Sequence, residues 1–513
     1  MLKTYLLKHY KTAAFWLGVA SASALPPFYC LPVLFFTFPM LLFQINGAKT
    51  KKQAFASGYW FGFGYFAVNL SWIGNALLIE AETFGWLYPI TVLASGAFFG
   101  LFTAFPALTA YLFDNRPSRW LAFAATWVVF EWIRSFIFTG FPWNLLGSVL
   151  AFSKGLIQTA SLFGTYGLSL CVLLICGSPF LIFSADKKQR LTGIITALSL
   201  IVFISAYGFW RTNGYVYAPS STRLRLVQPS IPQSMKWNKE TLEQNLREYI
   251  SLSRENGFEN VDFVIWGETA SPFPLDFDFI RLREVTAAVP PQGHLLTGSI
   301  RYELSADGSY RPLNSMFAIN DAGRIVGTYD KAHLVPFGEY VPFKQFLPES
   351  FRPIAQSLAD FKAGSGLKSI SIAGHPRFGP LICYEIIFPY QVINKKNPPQ
   401  WLVNFTNDGW YGNSQGPYQH LVTTRLRAVE EGLTVVRAAN SGISAVISPV
   451  GEVLAAIPLN AKQTLDFNLP NRPTIPVIYG KFGNIIPLSL AVACLLIAFI
   501  VAKKHHSNTS TCI

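Results

Sequence analysis

The sequence predicts an α/β domain of about 250 residues inserted into a bundle of eight transmembrane helices. Of the 513 residues, 51% are hydrophobic and only 13% are charged, whereas an ordinary soluble domain carries about a quarter charged residues. Long apolar runs are concentrated in residues 1–222 and 484–502, while residues 223–472 carry charges throughout. We therefore predict a seven-helix membrane part at 1–222, an α/β domain at 223–472, and a final membrane helix with a tail at 473–513.

The membrane spans follow from the length of the apolar runs. A bilayer core about 30 Å thick requires roughly 20 apolar residues in a helix, and the run NIIPLSLAVACLLIAFIVA at 484–502 meets this requirement. The other predicted spans are 12–25, 29–46, 54–78, 86–112, 119–137, 162–184 and 191–210. The first of these, which ends at Ser21–Ala24, also has the pattern of a secretory signal peptide, and the sequence leaves both interpretations open.

The charges of the loops predict the orientation. Cytoplasmic loops of membrane proteins are enriched in lysine and arginine. Here every second connection is basic, with 13 cationic residues against four in the alternate connections. Both termini are therefore expected in the cytoplasm, and the domain at 223–472 outside it. That domain holds 24 Lys and Arg against 23 Asp and Glu, so the net charge of +13 lies mainly in the membrane loops. A nucleic-acid-binding protein would concentrate its charge on the soluble domain, so nucleic acid is not an expected partner.

Short β-like runs alternate with polar, helical stretches in the domain, which predicts helices packed on sheets. The predicted helices are 240–256 and 418–431. The predicted strands are 223–230, 261–266, 294–300, 315–320, 379–384, 401–404, 434–438 and 443–448.

Cys383 is the one cysteine among the six that falls in the α/β domain. A free cysteine is often a buried core residue. A lone thiol at the end of a predicted strand, followed by Tyr384 and Glu385, is also a candidate nucleophile. Such a thiol needs a base, because the thiolate is the reactive form, and it needs donors for the oxyanion on the attacked carbonyl. Glu268, at the end of VDFVIWGE, is one candidate base, and Lys331 in YDKAHLVPFGEYVP is a candidate donor. A histidine base stays open from the inventory alone: His294, His333, His375 and His420.

Taken together, three segments resemble the catalytic segments of the nitrilase superfamily, whose catalytic set is Glu, Lys and Cys. They are IWGETA around Glu268, YDKAHLVPFGEYVP around Lys331 and ICYEIIFP around Cys383. The resemblance implies a nitrilase-type αββα sandwich. It also implies that Glu339 is the second glutamate of this superfamily, near the lysine, and that Tyr384 and Glu385 support the site.

A nitrilase-like domain placed before the last of eight spans resembles the apolipoprotein N-acyltransferase family. The segments 131–143 (EWIRSFIFTGFPW) and 24–28 (ALPPF) are also similar to that family. The resemblance implies a multi-pass protein of the bacterial inner membrane with its catalytic domain in the periplasm. The implied donor is a phospholipid, typically phosphatidylethanolamine, and the implied acceptor is the α-amine of a diacylglyceryl-cysteine lipoprotein. Glu268 would act as the base, Cys383 as the nucleophile that becomes a thioester, and Lys331 as the oxyanion donor.

Several aromatic residues are candidates for a lid that admits acyl chains. Phe337, Tyr340 and Phe343 lie in and beside the Lys331 loop, and Trp410 and Tyr411 lie in NFTNDGWYG. They either dip into the outer leaflet or pack within the domain. Trp237 resembles a family position near the active site and is equally compatible with a packing role.

Two other functions fit part of the pattern. A membrane-tethered nitrilase-type amidase would use the same three residues and pass its thioester to water. A lipid transporter with an inactive appended domain would have no need for an intact Glu, Lys and Cys set, and transport pathways usually need more intramembrane ionisable residues than these spans contain. No cofactor or metal is expected, and the predicted oligomeric state is a monomer.

Overall fold

The computed structural model describes residues 7–304, 308–342, 360–471 and 476–510. The chain divides into two compact units. The membrane unit comprises Met1–Gly214, Asn413–Glu431 and Pro476–Ile513, and the catalytic unit comprises Tyr215–Gly412 and Gly432–Ile475. The predicted boundaries at 223 and 472 lie close to the limits of the catalytic unit, but residues 413–431 in the middle of that range belong to the membrane unit.

The α-helices are numbered along the chain. They are α1 (Tyr10–Ala22), α2 (Leu34–Asn46), α3 (Lys51–Asn69), α4 (Ala81–Phe84), α5 (Tyr88–Tyr111), α6 (Arg116–Ile133), α7 (Ala160–Gly177), α8 (Pro179–Ile182), α9 (Lys187–Asn213), α10 (Gln233–Lys236), α11 (Leu242–Ser253), α12 (Phe279–Val285), α13 (Gly416–Glu431), α14 (Tyr479–Phe482) and α15 (Ile485–Ser510).

Four helical segments in the part of the chain that the structure describes are long and apolar enough to cross a membrane. They are Ala81–Tyr111, Ala160–Ile182, Lys187–Asn213 and Ile485–His505. Four of the predicted spans are thereby matched in position. The remaining predicted spans correspond to the shorter or less apolar helices α1, α2, α3 and α6, so the total of eight spans stays a prediction.

Polar caps set the starts of three membrane-unit helices directly after basic or polar loops. The side chains of Thr50, Asn115 and Asp186 accept hydrogen bonds from backbone N–H groups in the first turns of α3, α6 and α9, at 3.2, 2.9 and 2.8 Å. Such caps satisfy N–H groups that have no partner within the helix. The caps fix the helix starts at Lys51, Arg116 and Lys187, so that cationic residues lie in the first turns of these helices.

Buried polar groups tie α6 and α13 together inside the membrane unit. Near the end of α6, Glu131 accepts a hydrogen bond from Leu146 N at 2.8 Å, and Arg134 donates to Trp143 O at 2.7 Å. The Trp143 indole in turn donates to Gln419 Oε1 of α13 at 2.9 Å, and the Trp72 indole donates to the same oxygen at 3.1 Å. Helix α13, which connects two strands of the catalytic unit in sequence, is therefore fixed among the membrane helices by side-chain hydrogen bonds.

The catalytic unit contains two β-sheets. Their strands are β1 (Pro219–Gln228), β2 (Phe263–Ile265), β3 (His294–Leu304), β4 (Tyr310–Asn320), β5 (Ile325–Asp330), β6 (Phe378–Ile382), β7 (Trp401–Thr406), β8 (Thr434–Ala439), β9 (Ser444–Ile447), β10 (Val453–Ile457) and β11 (Gln463–Pro470). The first sheet has the order β11-β1-β2-β3-β4-β5 and the second the order β10-β9-β8-β7-β6. Strands β1, β2 and β3 are parallel to one another, as are β6, β7 and β8.

The two sheets pack face to face over one apolar core. This core contains Phe263 and Met316 from the first sheet and Trp401 and Val436 from the second. A second core lies on the other face of the first sheet, where Leu246 and Tyr249 of α11 pack with Trp266. The predicted α/β character of the domain is thus confirmed, with two packed sheets. In the chain, strand β7 of the second sheet is followed by helix α13, which belongs to the membrane unit.

This topology brings the candidate residues to one edge of the sandwich. Glu268 lies three residues beyond β2, Lys331 directly follows β5, and Cys383 directly follows β6. Asp408 lies two residues beyond β7. Because neighbouring parallel strands end at the same edge, the loops after them converge there.

Candidate active site

Glu268 is buried and held in a tight approach between strands. Its backbone N–H donates to Thr406 O at 3.4 Å, which joins the ends of β2 and β7. On the other side, Gly298 of β3 allows the Glu268–Thr269 turn to approach that strand closely, because a Cβ at Gly298 would lie 2.3 Å from Thr269 N. The carboxylate accepts hydrogen bonds from Asn314 Nδ2 at 2.8 Å and from Lys331 Nζ at 3.4 Å.

Lys331 is almost fully buried, at 1% exposed, and is paired with two carboxylates. Its Nζ lies 2.9 Å from Glu339 Oε1 and 3.4 Å from Glu268 Oε1. Burial alone would lower the pKa of Lys331, but Glu339 and Glu268 raise it well above its usual value. Lys331 is therefore a fixed cation, suited to stabilise negative charge that develops on a substrate.

Cys383 is the first residue of the 3₁₀ helix Cys383–Ile387, which begins directly after β6. Its φ of 49° lies in the left-handed region, which costs a residue other than glycine about 1–3 kcal/mol and is found at functional sites. Burial and the charge of Glu268 raise the pKa of the Cys383 thiol to about 12, although Lys331 acts in the opposite direction. Cys383 is consequently a thiol at rest, and it would need a base to act as a nucleophile.

Glu385 connects the Lys331 loop with the Cys383 turn. Its Oε1 accepts hydrogen bonds from Tyr329 Oη at 2.7 Å, Ala332 N at 2.7 Å and His333 N at 3.1 Å, and its Oε2 accepts one from Ile382 N at 2.7 Å. Burial raises the pKa of Glu385, while hydrogen bonds from Ile382, Tyr329 and Ala332 and the charge of Lys331 act to lower it. The carboxylate thus fixes the backbone on the C-terminal side of Lys331 and on the N-terminal side of Cys383.

Glu339 lies beside Lys331, as its place in the same loop predicts. Besides Lys331, it accepts hydrogen bonds from Asn314 Nδ2 and Val335 N, both at 2.8 Å. Tyr384 is buried and packs its ring against His333 and Phe388. Its surroundings are those of a packing residue that supports the turn.

Sequence analysis did not identify two polar residues of this site. Asn314 of β4 bridges Glu268 and Glu339. Lys236 of α10 is buried and donates to Glu268 O at 2.8 Å and to Thr269 Oγ1 at 2.9 Å. Lys236 stands in the polar stretch QSMKWNKE, where spacing alone suggests an exposed helix turn, so only the fold identifies it.

A buried ion pair supports the Cys383 turn from the side of β7 and β8. Arg437 donates to Asp408 Oδ2 at 2.5 Å and to Asn404 Oδ1 at 2.7 Å. The Asn404 amide donates at 3.4 Å to Cys383 O. Asn404 and Asp408 lie in the segment NFTNDGWYG, and Arg437 begins the segment RAANSGIS.

The predicted lid residues fall into three groups. Trp237, Phe337 and Trp410 are 43%, 69% and 42% exposed. Tyr340 and Tyr411 are half-buried, and the Tyr411 hydroxyl lies 3.9 Å from Cys383 Sγ. Phe343 lies outside the described residues. The structure therefore places Tyr411 beside the nucleophile and leaves three aromatic side chains accessible to a partner.

The histidines do not replace Glu268 in this arrangement. His294 lies at the start of β3 and contacts His375, with the ring centroids 5.8 Å apart. Cys383, in contrast, follows the end of β6. His420 belongs to α13 and packs against Trp143. Glu268, Lys331 and Asp408 are among the ionisable neighbours whose charges act on the Cys383 thiol. The geometry favours a carboxylate base.

Comparison with known proteins agrees with these features. Residues 17–178 match the family model of the apolipoprotein N-acyltransferase N-terminal domain, and residues 223–472 match that of carbon-nitrogen hydrolases. An apolipoprotein N-acyltransferase of Rhodopseudomonas palustris is 36% identical over 505 residues, covering 95% of this chain and 94% of the relative. The one of Rickettsia typhi is 35% identical over 492 residues, covering 96% and 98%.

Among solved structures, a mutant of the Nesterenkonia AN1 amidase from the nitrilase superfamily is 18% identical, with a TM-score of 0.36, and covers 49% of this chain and 93% of that one. The identity over nearly the full length of the curated relatives, together with the two family models, assigns the family. The chain belongs to the apolipoprotein N-acyltransferases and is an enzyme of that acyltransferase family.

Proposed function

We propose that this enzyme moves an acyl chain from a phospholipid to the N-terminal α-amine of a diacylglyceryl-cysteine lipoprotein through a thioester on Cys383. The convergence of Glu268, Lys331 and Cys383 at one sheet edge carries the proposal. A buried thiol, a carboxylate and a fixed cation are the groups that a covalent acyl transfer needs.

In the first half-reaction, Cys383 Sγ attacks the ester carbonyl carbon of phosphatidylethanolamine while Glu268 takes the thiol proton. Lys331 stabilises the oxyanion of the tetrahedral intermediate. The bond between the carbonyl carbon and the glycerol oxygen then breaks, and Glu268 returns its proton to that oxygen. The products are a lysophospholipid and the acyl thioester.

In the second half-reaction, the uncharged α-amine of the lipoprotein cysteine attacks the thioester carbonyl. Glu268 accepts a proton from the amine, the carbon–sulfur bond breaks, and the thiolate is protonated again. An amide remains on the lipoprotein. Since both substrates react in turn with one cysteine, the enzyme follows ping-pong kinetics.

Both proposed substrates are anchored in a membrane, which fits the membrane unit. Four segments with the length and composition of transmembrane helices support a membrane location. We place the enzyme in the inner membrane with eight spans and the catalytic unit in the periplasm, because the basic residues alternate between successive loops. The exposed rings of Trp237, Phe337 and Trp410 supply an apolar route for acyl chains, and the enzyme acts as a monomer.

The intact mass of the purified protein in detergent tests the donor and the thioester together. Incubation with phosphatidylethanolamine alone should add one acyl mass, which hydroxylamine removes and a diacylated lipopeptide discharges. Cys383→Ala should show no added mass, while Cys30→Ala, which changes an exposed cysteine, should behave as the wild type. A folded wild-type protein without an adduct would exclude the phospholipid donor, and release of ammonia from a small amide would then support the amidase instead.

A further inference from the structure

Lys236 is a second buried lysine at the catalytic centre. It is 5% exposed, and its ammonium donates to Glu268 O at 2.8 Å and to Thr269 Oγ1 at 2.9 Å. A buried ammonium is costly unless it is hydrogen-bonded and its charge is balanced. Packing alone therefore does not explain why a lysine occupies this position.

The turn that Lys236 binds is strained. Thr269, the residue after the candidate base, has a φ of 43°, a value at which a β-branched residue is a genuine outlier. Strain of this kind persists where the surrounding structure over-determines the backbone. The two hydrogen bonds from one ammonium hold both residues of this turn, and so they position the backbone from which the Glu268 carboxylate extends.

Among the four charged groups around Glu268, the charges balance only when Lys236 is counted. Lys331 and Lys236 carry two positive charges, and Glu268 and Glu339 carry two negative charges. The charges of Glu268 and Cys383 both act on Lys236. Without Lys236, the same cluster would hold one unbalanced negative charge beside the thiol, which disfavours the thiolate.

We propose that Lys236 is a positioning residue of the acyl-transfer centre, which holds the Glu268–Thr269 turn and supplies a second positive charge that favours ionisation of Cys383. The inference rests on the proposed function for its meaning in acyl transfer. It concerns thiol reactivity, however, and can be tested without any lipid.

The pH dependence separates this role from a packing role. Burial, opposed by the charges of Glu268 and Cys383, lowers the pKa of Lys236 to about 8. The thiol of Cys383 faces Glu268, Lys331 and Asp408, and its pKa of about 12 lies above the accessible pH range. Its reaction rate should therefore rise about tenfold per pH unit. As pH rises through 8, Lys236 loses its charge, so the rise of the wild-type rate should flatten there.

The experiment measures alkylation of Cys383 by iodoacetamide between pH 6.5 and 10, by peptide mass, in the full-length protein in detergent. The variants are Lys236→Met, which keeps the length of the side chain without its charge, and Lys236→Arg, which keeps the charge. Lys239→Met is the matched control, because Lys239 is exposed and lies three residues away. Acyl-enzyme formation from phosphatidylethanolamine is recorded for the same proteins.

At pH 7, Lys236→Met should react about tenfold more slowly than the wild type, and the difference should narrow above pH 8. Lys236→Arg should stay close to the wild-type rate at pH 7 and lack the flattening, and Lys239→Met should match the wild type. The proposal would be overturned if the ratio of the wild-type rate to the Lys236→Met rate were constant with pH or equal to one. It would also be overturned if Lys236→Arg reacted as slowly as Lys236→Met. If Lys236→Met does not fold, the wild-type and arginine profiles decide alone.

The two proposals fail in different ways. If the wild-type protein forms no acyl adduct, the proposed donor is wrong, while the alkylation profiles still test Lys236. If the adduct forms but the alkylation rates of the wild type and Lys236→Met rise in parallel with pH, the proposed function stands and the role of Lys236 is refuted.

Discussion

Replacing Glu385 by glutamine tests whether one buried carboxylate holds the Lys331 loop and the Cys383 turn in place. Three donors converge on Glu385 Oε1 and a fourth, Ile382 N, on Oε2. A glutamine can keep its oxygen toward the three donors. Its amide nitrogen then faces Ile382 N–H, so that an acceptor is replaced by a donor at the start of the turn.

The size of the effect follows from the lost hydrogen bonds. A hydrogen bond to a charged group contributes about 1.5–3 kcal/mol, and a buried donor left without an acceptor costs about 1–3 kcal/mol. We expect Glu385→Gln to lower the free energy of unfolding of the catalytic unit by about 2–4 kcal/mol. For a domain of 150–250 residues, each kcal/mol lowers Tm by about 2–4 °C, so about 3 kcal/mol corresponds to about 6–12 °C. Glu385→Ala, which leaves four donors without their acceptor, should destabilise the unit more.

The assay is thermal unfolding in detergent, with formation of the acyl-enzyme measured below the transition. Glu240→Gln is the matched control, because Glu240 is exposed in the same unit, and its Tm should stay within about 1 °C of the wild type. If Glu385→Gln unfolds at the wild-type temperature and retains wild-type acylation, the carboxylate does not position either loop. The assignment of Glu385 as a supporting residue would then be withdrawn.

Three further outcomes are expected. In Glu268→Gln, Cys383 should be alkylated faster than in the wild type at pH 8, because removing the carboxylate charge lowers the thiol pKa. The same variant should form no acyl-enzyme, as measured by intact mass. Slower alkylation would contradict this electrostatic effect of Glu268. Asn314→Leu removes two charge-assisted hydrogen bonds and should slow acyl-enzyme formation about ten- to a hundredfold. An unchanged rate would show that the Asn314 bridge between Glu268 and Glu339 is dispensable. Gln419→Leu leaves two buried indole N–H groups without an acceptor and should lower Tm by several degrees. The control is Tyr418→Phe, a change at an exposed residue on the same helix. Equal Tm values for the two variants would show that Gln419 does not anchor α13.

The strands of the catalytic unit could be predicted because their apolar runs are short and interrupted by turns. All eight predicted strands are present, with ends shifted by up to five residues. Strand β5 was not predicted, because IVGTYD contains a glycine and few apolar residues, and its position in the sheet depends on pairing with β4. Strands β10 and β11 at the edges of their sheets were missed as well, since half-exposed strands carry weaker patterns.

The membrane spans show a different limit of prediction. Apolarity predicts a span well where a helix is long and continuous, as at 485–505. It overestimates helix length at 54–78, where α3 ends at Asn69 and a 3₁₀ segment, Ser71–Leu78, follows. Whether such a helix spans the bilayer depends on the packing of its neighbours, which composition does not report.

At the candidate site, the residues with a recognisable segment could be predicted, and those that act through the fold could not. Glu268, Lys331, Glu339 and Cys383 each stand in a distinctive sequence context. Lys236 does not, because its place at the site depends on a hydrogen bond to a residue 32 positions away.

The two glutamates around Lys331 are bound differently, and we propose that their tasks differ accordingly. Glu339 receives the shorter contact from Lys331, 2.9 Å against 3.4 Å for Glu268, and Val335 N and Asn314 Nδ2 also donate to it. Glu268 is contacted by Asn314 Nδ2 at 2.8 Å and by the same lysine at the longer distance. In the proposed mechanism Glu339 is the closer ion-pair partner of Lys331 and Glu268 is the base that takes the proton of Cys383, so the two tasks fall to two carboxylates.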